Sequence, residues 1–143
     1  LSCDLIMAAR SSYFLLAFRN IGLVPDCGVT WIVPRLIGGA RARELALLGE
    51  KLPAETAQEW GLINRVFDDE TLIEETEKVA RKLADGPSGQ SFIRQAMWDS
   101  LDNNFETQLD RERQLQLQAG HTGDFYEGVT AFLEKRAAKF TGN

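Results

Sequence analysis

One carboxylate, Asp26, lies in an apolar loop that contains glycine, within the sequence IGLVPDCGVTW at residues 21–31. Pro25 favours an extended backbone at Val24, and Gly28 permits a tight turn or the close approach of a ligand. A carboxyl group partly withdrawn from water keeps its proton to higher pH, which suits it to proton transfer near neutrality. We therefore predict that Asp26 is a general acid/base, the N-cap of the helix that follows, or both.

Other residue types that could do chemistry are sparse. The single histidine, His121, is predicted to lie in a turn between glycines. Cys27 adjoins Asp26, but no histidine is at hand to act as its base, so we interpret it as a small loop residue. The two cysteines, Cys3 and Cys27, are too few for a disulfide framework, and no other metal-ligating residues accompany them at a suitable spacing. We expect free thiols, no metal site and a cytoplasmic protein.

A second candidate site lies near the end of the chain. Phe132 and Lys135 are predicted to be neighbours on one helical face. A ring beside an ammonium group suits an adenine and a phosphate, through stacking and charge. Phe125, Val129 and Leu133 extend the same apolar stripe, and the pattern alone favours an ordinary buried helix face.

Composition excludes several classes of function. The chain has 143 residues, of which 44% are hydrophobic and 26% charged, and its net charge is −5. A negative charge argues against nonspecific binding to nucleic acid or to an anionic membrane. No apolar run approaches the roughly 20 residues that a membrane span needs.

The elements that must position these residues are mostly helices. Strands are predicted at residues 5–9 and 62–67, with an extended or mixed apolar piece at residues 13–18. Helices are predicted at residues 30–37, 40–48 (ended by Gly49), 54–60 (after Pro53), 70–85 (capped by Asp69), 90–101, 105–119 and 124–138. These strands are few and show no hairpin signals, so they cannot form a self-sufficient sheet. We expect them to need neighbouring strands that this chain does not supply. Because the chain opens directly in an apolar segment at Leu1, we expect it to be the later part of a longer polypeptide.

Five segments, in this order and spacing, resemble the C-terminal portion of the crotonase (enoyl-CoA hydratase/isomerase) superfamily, and the likeness covers essentially the whole chain. They read CDLIMAARSSYF, IGLVPDCGVTW, VPRLIGGARARELALLGE, AETAQEWGLINRVFDD and EGVTAFLEKRAAKF. The resemblance implies an α+β fold, in which a spiral core of ββα units precedes a C-terminal helical region. Residues 1–67 would be the end of that core with the Asp26 loop, and residues 68–143 the helical oligomerisation region.

The resemblance also implies an activity. In isomerases of this family the acid after the loop proline is catalytic, which here is Asp26. Phe18 aligns with the second glutamate of the hydratases, and a phenylalanine cannot transfer protons. This difference favours isomerisation over water addition. The expected reaction is that of 1,2-epoxyphenylacetyl-CoA to oxepin-CoA, or of a 3-enoyl-CoA to a 2-enoyl-CoA, with Phe18, Val24 and Pro25 beside the substrate.

The same resemblance places the CoA adenine and phosphate at Phe132 and Lys135, often in the site of a neighbouring subunit. It implies no cofactor apart from the CoA of the substrate, and a homo-oligomer that is a trimer or a dimer of trimers. Val29 replaces the usual loop glycine, which would displace the backbone or narrow the acyl pocket. The two amides of the oxyanion hole would come from segments before Leu1, so we expect these residues alone to be inactive. An enoyl-CoA hydratase and a non-catalytic assembly fragment remain alternatives.

Overall fold

The computed structural model describes residues 1–143, which form two compact units, Leu1–Lys78 and Val79–Asn143. Four short strands all lie in the first unit: β1 (Met7–Ala9), β2 (Tyr13–Phe14), β3 (Leu52–Pro53) and β4 (Arg65–Phe67). A 3-10 helix spans Ala17–Ile21, and the α-helices are α1 (Val29–Ile37), α2 (Gly39–Leu48), α3 (Ala54–Glu59), α4 (Leu72–Ala84), α5 (Gly89–Asp99), α6 (Phe105–Ala119) and α7 (Gly123–Glu134). No helix is both long and apolar enough to cross a membrane.

The strands of the first unit form two separate ladders. β1 runs parallel to β4, with Met7 opposite Arg65, and β2 runs antiparallel to β3, with Phe14 opposite Leu52. We expected the strands to lack neighbours within the chain. This expectation is wrong, because each strand pairs along one edge with another strand of the same chain. Both partners lie far away in sequence, which is why no hairpin signal revealed them. Ladders this short are marginal alone and depend on the packing around them.

That packing comes from a hydrophobic core beneath the helices of the first unit. Val33 and Ile37 of α1 contribute to it, and Ala54 and Ala57 of α3 are completely buried. The remaining buried members are Ala8, Ala42, Leu45, Leu52, Leu62 and Ile63. Alanines at these positions let the short helix α3 approach its neighbours closely, and the core holds α1 in place through Val29, Val33 and Ile37.

Several helix ends follow the signals in the sequence. α2 ends at Leu48, and Gly49 adopts a left-handed backbone whose N–H bonds to the Leu45 carbonyl. α3 follows Pro53 directly, and α4 and α5 are separate helices, as the predicted ranges 70–85 and 90–101 require. These predictions are confirmed.

The predicted cap of α4 is wrong. The helix begins at Leu72 and not at residue 70, and the Asp69 side chain does not cap it. Instead the Asp69 carboxylate accepts hydrogen bonds from the backbone N–H of Ser11 at 3.1 Å and from the Ser11 hydroxyl group. These bonds lower the pKa of Asp69. A long-range partner has thus replaced the local role that the sequence suggested.

In the second unit, the side chains of the preceding residues cap two helices. The Asn104 side chain accepts the N–H of Thr107 at the start of α6, and the Thr122 hydroxyl oxygen accepts the N–H of Phe125 at the start of α7. α5 and α6 pack together, and Arg111 of α6 pairs with Asp99 at 2.7 Å. These contacts fix the helices that surround the groove described below.

The predicted C-terminal end of α7 is also wrong. The helix stops at Glu134, not at residue 138, because Lys135 adopts a left-handed backbone with φ of 55°. The N–H of Arg136 then bonds back to the carbonyl of Ala131 at 3.1 Å. The chain reverses here instead of continuing as helix.

Candidate active site

The loop that carries Asp26 is built by backbone geometry. The N–H of Leu23 bonds to the carbonyl of Phe18 at 2.9 Å, which closes the turn after the 3-10 helix. Cys27 and Gly28 are both left-handed, with φ of 52° and 77°, and this pair turns the chain into α1. The N–H of Val29 bonds to the carbonyl of Asp26 at 3.1 Å. Asp26 therefore stands at the point where the loop becomes a helix.

Asp26 does not cap that helix. The N-cap of α1 is Gly28, and no side chain accepts a hydrogen bond from the first turn. The Asp26 side chain is exposed, so the partial desolvation expected from the apolar sequence is not provided within residues 1–143. Apolar neighbours along the chain do not desolvate a group unless they fold over it.

Apolar side chains around Asp26 are themselves uncovered. Val24 is 77% exposed, and Ile21 and Leu23 are also largely exposed. Phe18 and Pro25 are half-buried. Val24, Pro25 and Asp26 therefore lie in one loop whose apolar surface is open, and Phe18 lies in the 3-10 helix just before it. An open apolar surface is typical of sites that bind a ligand or another protein segment.

Cys27 is an unreactive neighbour. Its thiol hydrogen-bonds to Asp26, and this bond, together with the negative charge of the carboxylate, raises the pKa of Cys27. A raised pKa keeps the thiol protonated, and the protonated form is a poor nucleophile. The interpretation of Cys27 as a loop residue agrees with this environment. Cys3 is likewise a free, exposed thiol.

The second unit contains an apolar groove of about 930 Å³. Phe132 of α7 is 82% exposed and lies at the groove, together with Phe125 and Val129. Helices α5 and α6 contribute Phe92, Ile93, Ala96, Leu109 and Leu115, and the segment after α7 contributes Phe140. The alternative interpretation of the α7 stripe as a buried face is therefore wrong, because Phe125, Val129, Phe132 and Leu133 are all exposed.

Lys135 lies just beyond the helix that was predicted to contain it. Because α7 ends at Glu134, the argument that Phe132 and Lys135 share one helical face fails. The two residues are linked instead through the backbone, since the N–H of Lys135 bonds to the carbonyl of Phe132 at 3.3 Å. Lys135 is exposed.

Sequence reasoning missed two carboxylates of α7 that hold the segment after the helix. Asp124 is only 2% exposed and accepts the backbone N–H groups of Ser88 and Thr141, both at 2.8 Å, and of Gly142 at 3.0 Å. These donors, Ser88 first, lower its pKa because they stabilise the charged form. Asp124 therefore anchors the last residues of the chain to the start of α7.

The other missed carboxylate is Glu127. It binds both terminal nitrogens of Arg136, at 2.6 and 2.9 Å, and accepts the N–H of Lys139 at 2.7 Å. The guanidinium hydrogen bond is the main cause that lowers the pKa of Glu127 to about 2. The only hint in the sequence was the spacing of two acids ahead of a basic segment, which is typical of any solvated helix.

Residues 1–143 contain no cluster of three or more His, Cys, Asp or Glu side chains that could hold a metal ion. The Asp26 loop presents one carboxylate at the edge of an open apolar surface. The chemistry available at the end of α7 is that of an exposed ring followed by an exposed ammonium group.

Comparison with known proteins places the chain. The sequence profile of the family described as Enoyl-CoA hydratase/isomerase matches residues 1–143. The chain is 51% identical to the 1,2-epoxyphenylacetyl-CoA isomerase of Escherichia coli over 140 residues, which is 97% of this chain and 53% of the relative. It is 43% identical to a "Probable enoyl-CoA hydratase" of Rhodobacter capsulatus, over 99% of this chain and 56% of the relative.

A solved structure is similar as well. The crystal structure described as "Enoyl-CoA Hydrates Subunit I" from Geobacillus kaustophilus superposes with a TM-score of 0.96 at 35% identity, covering 99% of this chain and 56% of that one. The chain spans about half the length of the relatives that it matches. With its full-length profile match and its crotonase-like α+β fold, the chain belongs to the enoyl-CoA hydratase/isomerase (crotonase) family.

Proposed function

We propose that the intact protein is an acyl-CoA isomerase in which Asp26 acts as general acid/base on the acyl group of a CoA thioester. The proposed substrate is 1,2-epoxyphenylacetyl-CoA, converted to oxepin-CoA, with a 3-enoyl-CoA converted to a 2-enoyl-CoA as the other candidate. The observation that carries this proposal is the 51% identity to an isomerase named for the first of these substrates.

The Asp26 loop supports this reaction type. An isomerisation leaves the composition of the substrate unchanged. One carboxyl group that takes a proton and gives it back is therefore sufficient. Adding water requires a second group to activate the water molecule. Phe18, which aligns with the second hydratase glutamate and is joined to Leu23 by a backbone bond, supplies no such group. The exposed Val24 and half-buried Pro25 would then lie against the acyl chain.

The exposure of Asp26 sets a condition on the proposal. Bulk water competes with the substrate for an exposed carboxylate, so in the working enzyme the loop must be covered. We propose that the bound acyl group and parts of the intact protein outside these residues cover it, and that they also supply the oxyanion hole. CoA enters only as part of the substrate, and no other cofactor is proposed.

The test is Asp26→Asn in the intact protein. We expect turnover to fall at least about 100-fold, the usual contribution of a general acid/base. Binding of the CoA ester and the melting temperature should stay unchanged, because the exposed side chain makes no capping bond. Glu50→Gln, at an exposed carboxylate of the same unit, is the control. Undiminished turnover of Asp26→Asn would remove Asp26 from the mechanism.

An enoyl-CoA hydratase is the second candidate. It is favoured by the names of the Rhodobacter relative and the Geobacillus structure, both of which describe hydratases. Addition of water to crotonyl-CoA by the wild-type protein would support it over the isomerase.

We further propose that the protein assembles as a trimer or a dimer of trimers. Large apolar side chains exposed on the second unit, including Ile93, Met97 and Phe105, support an interface there. Sedimentation of the intact protein tests this. An oligomer with neither turnover nor CoA affinity would favour the non-catalytic assembly module.

A further inference from the structure

The chain reverses direction immediately after α7, and this reversal is conformationally demanding. Lys135 has a left-handed backbone, with φ of 55° and ψ of 38°, which costs energy for any residue with a Cβ atom. Glycine is the usual residue at such a position. The hydrogen bond from the N–H of Arg136 to the carbonyl of Ala131 closes the reversal. This bond would form equally well with glycine at position 135, so it does not offset the cost of the Lys135 Cβ atom. The turn at Lys135 therefore needs additional stabilisation from side chains.

Glu127 supplies that stabilisation from within α7. Its two carboxylate oxygens bind the two terminal nitrogens of Arg136, the residue directly after Lys135, at 2.6 and 2.9 Å. The same carboxylate accepts the backbone N–H of Lys139 at 2.7 Å. Two-point pairing of a guanidinium with a carboxylate fixes orientation as well as distance. Glu127 thus holds the segment after the turn at two separate places.

A second carboxylate on the same guanidinium provides a comparison. Glu134 accepts the Nε–H of Arg136 at 2.6 Å. Its side chain is more exposed than that of Glu127, and it binds no backbone group of the later segment. Because Glu134 immediately precedes Lys135, its pairing does not tie the segment to the body of the helix. Of the two carboxylates that bind Arg136, Glu127 is therefore the one that ties the turn to the body of the helix.

Lys135 is the residue whose position this arrangement sets. Its ammonium group takes part in none of the ion pairs around the turn, all of which use Arg136. The backbone N–H of Lys135 bonds to the carbonyl of Phe132. The next residue in the chain is Arg136, which Glu127 binds. The Lys135 cation is therefore free to meet a ligand, from a fixed backbone position beside the exposed ring of Phe132.

We propose that Glu127 is a positioning residue for coenzyme A: by holding Arg136 it places the Lys135 ammonium to meet a phosphate while Phe132 meets the adenine. This inference rests on the proposed function, because it takes the CoA ester of that reaction to bind with its adenine at Phe132 and a phosphate at Lys135. Glu127 touches no ligand itself. Its effect is expected only on ligands that carry the adenine and phosphates.

The experiment compares Glu127→Gln with Glu134→Gln in the intact protein. Calorimetry measures the dissociation constants of crotonyl-CoA and of crotonyl-pantetheine, which lacks the adenine and phosphates. We expect Glu127→Gln to weaken crotonyl-CoA about fivefold, the upper range for one exposed ionic contact. Glu134→Gln should stay within about twofold, and neither change should affect crotonyl-pantetheine. Should Glu127→Gln fail to fold, Arg136→Gln removes the same tie.

A double variant separates positioning from a general loss of structure. If Glu127 acts through Lys135, Glu127→Gln added to Lys135→Met should weaken crotonyl-CoA no further than Lys135→Met alone. Full additivity, or equal weakening of crotonyl-pantetheine, would overturn the inference. If Lys135→Met weakens binding but Glu127→Gln does not, the inference fails and the proposed CoA site stands. If Lys135→Met has no effect, both the inference and that CoA site fail.

Discussion

The backbone carbonyl of Phe18 accepts a hydrogen bond from the N–H of Leu23 at 2.9 Å. This bond joins the first turn of the 3-10 helix to the loop that reaches Asp26 three residues after Leu23. The backbone at position 18 is therefore fixed to the loop that carries the proposed acid. A carboxylate there would provide the second group that water addition needs, and the phenylalanine does not.

The first prediction concerns water addition. The wild-type protein should add no water to crotonyl-CoA, whereas Phe18→Glu should raise hydration at least about tenfold above the wild type, since it restores an acid/base group. The ultraviolet absorbance of the enoyl thioester measures the reaction. Phe18→Gln, of the same size but without a charge, is the control. Rapid hydration by the wild type, or an equal gain with Phe18→Gln, would contradict the assignment of Phe18.

A second prediction concerns the end of α2. Gly49→Ala should destabilise the protein by about 1–2 kcal/mol, because a left-handed backbone disfavours a Cβ atom. That atom would also lie 2.9 Å from Cγ of Arg19 and from Oδ1 of Asn20. Gly89→Ala is the matched control. No atom lies within 4 Å of its added Cβ, and it should be neutral or stabilise by up to about 1 kcal/mol. Urea unfolding measures both, and equal effects would refute the geometric argument.

The third prediction concerns the buried carboxylate of the second unit. Asp124→Asn exchanges a charged acceptor for a neutral amide, which weakens the hydrogen bonds from Ser88, Thr141 and Gly142. We expect the melting temperature to fall by about 5 °C or more. Asp102→Asn, at an exposed position, should leave it unchanged. A melting temperature of Asp124→Asn equal to that of the wild type would show that the buried anchor contributes little.

The fourth prediction is a pH dependence of stability. In the folded chain the pKa of Glu127 is about 2, below its ordinary value of 4.5. The unfolded chain therefore takes up this proton at higher pH than the folded chain does. The stabilisation from Glu127 is complete above about pH 4.5 and is lost as the pH falls towards 2.

Denaturant unfolding of the wild type and of Glu127→Gln, at several pH values between neutrality and pH 2, measures this effect. The difference in free energy of unfolding between the two proteins should shrink as the pH falls through that range. Other carboxylates titrate in both proteins and cancel in the comparison. A difference that stays constant over the whole range would mean that Glu127 is not the titrating group.

Local signals in the sequence predicted much of the helical structure. The bounds of α6, Phe105–Ala119, are those predicted from the sequence, and Gly49 ends α2 as its residue type suggests. The family also followed from the order and spacing of five short segments, and the full-length profile match confirms it. Such features depend on residues that are neighbours in the chain or on the order of whole segments, and the sequence contains both kinds of information.

The roles of individual carboxylates were decided by folding. Asp69 resembled a helix cap, but Ser11, 58 positions away, binds it. Asp124 was unremarked in the sequence, yet Ser88, 36 positions away, and the last residues of the chain bury and satisfy it. Asp26 looked sheltered among apolar residues, and the structure leaves it open. A carboxylate binds whichever donors the fold brings near it, and those donors are distant in sequence, so its neighbours along the chain do not reveal its partners or its exposure to water.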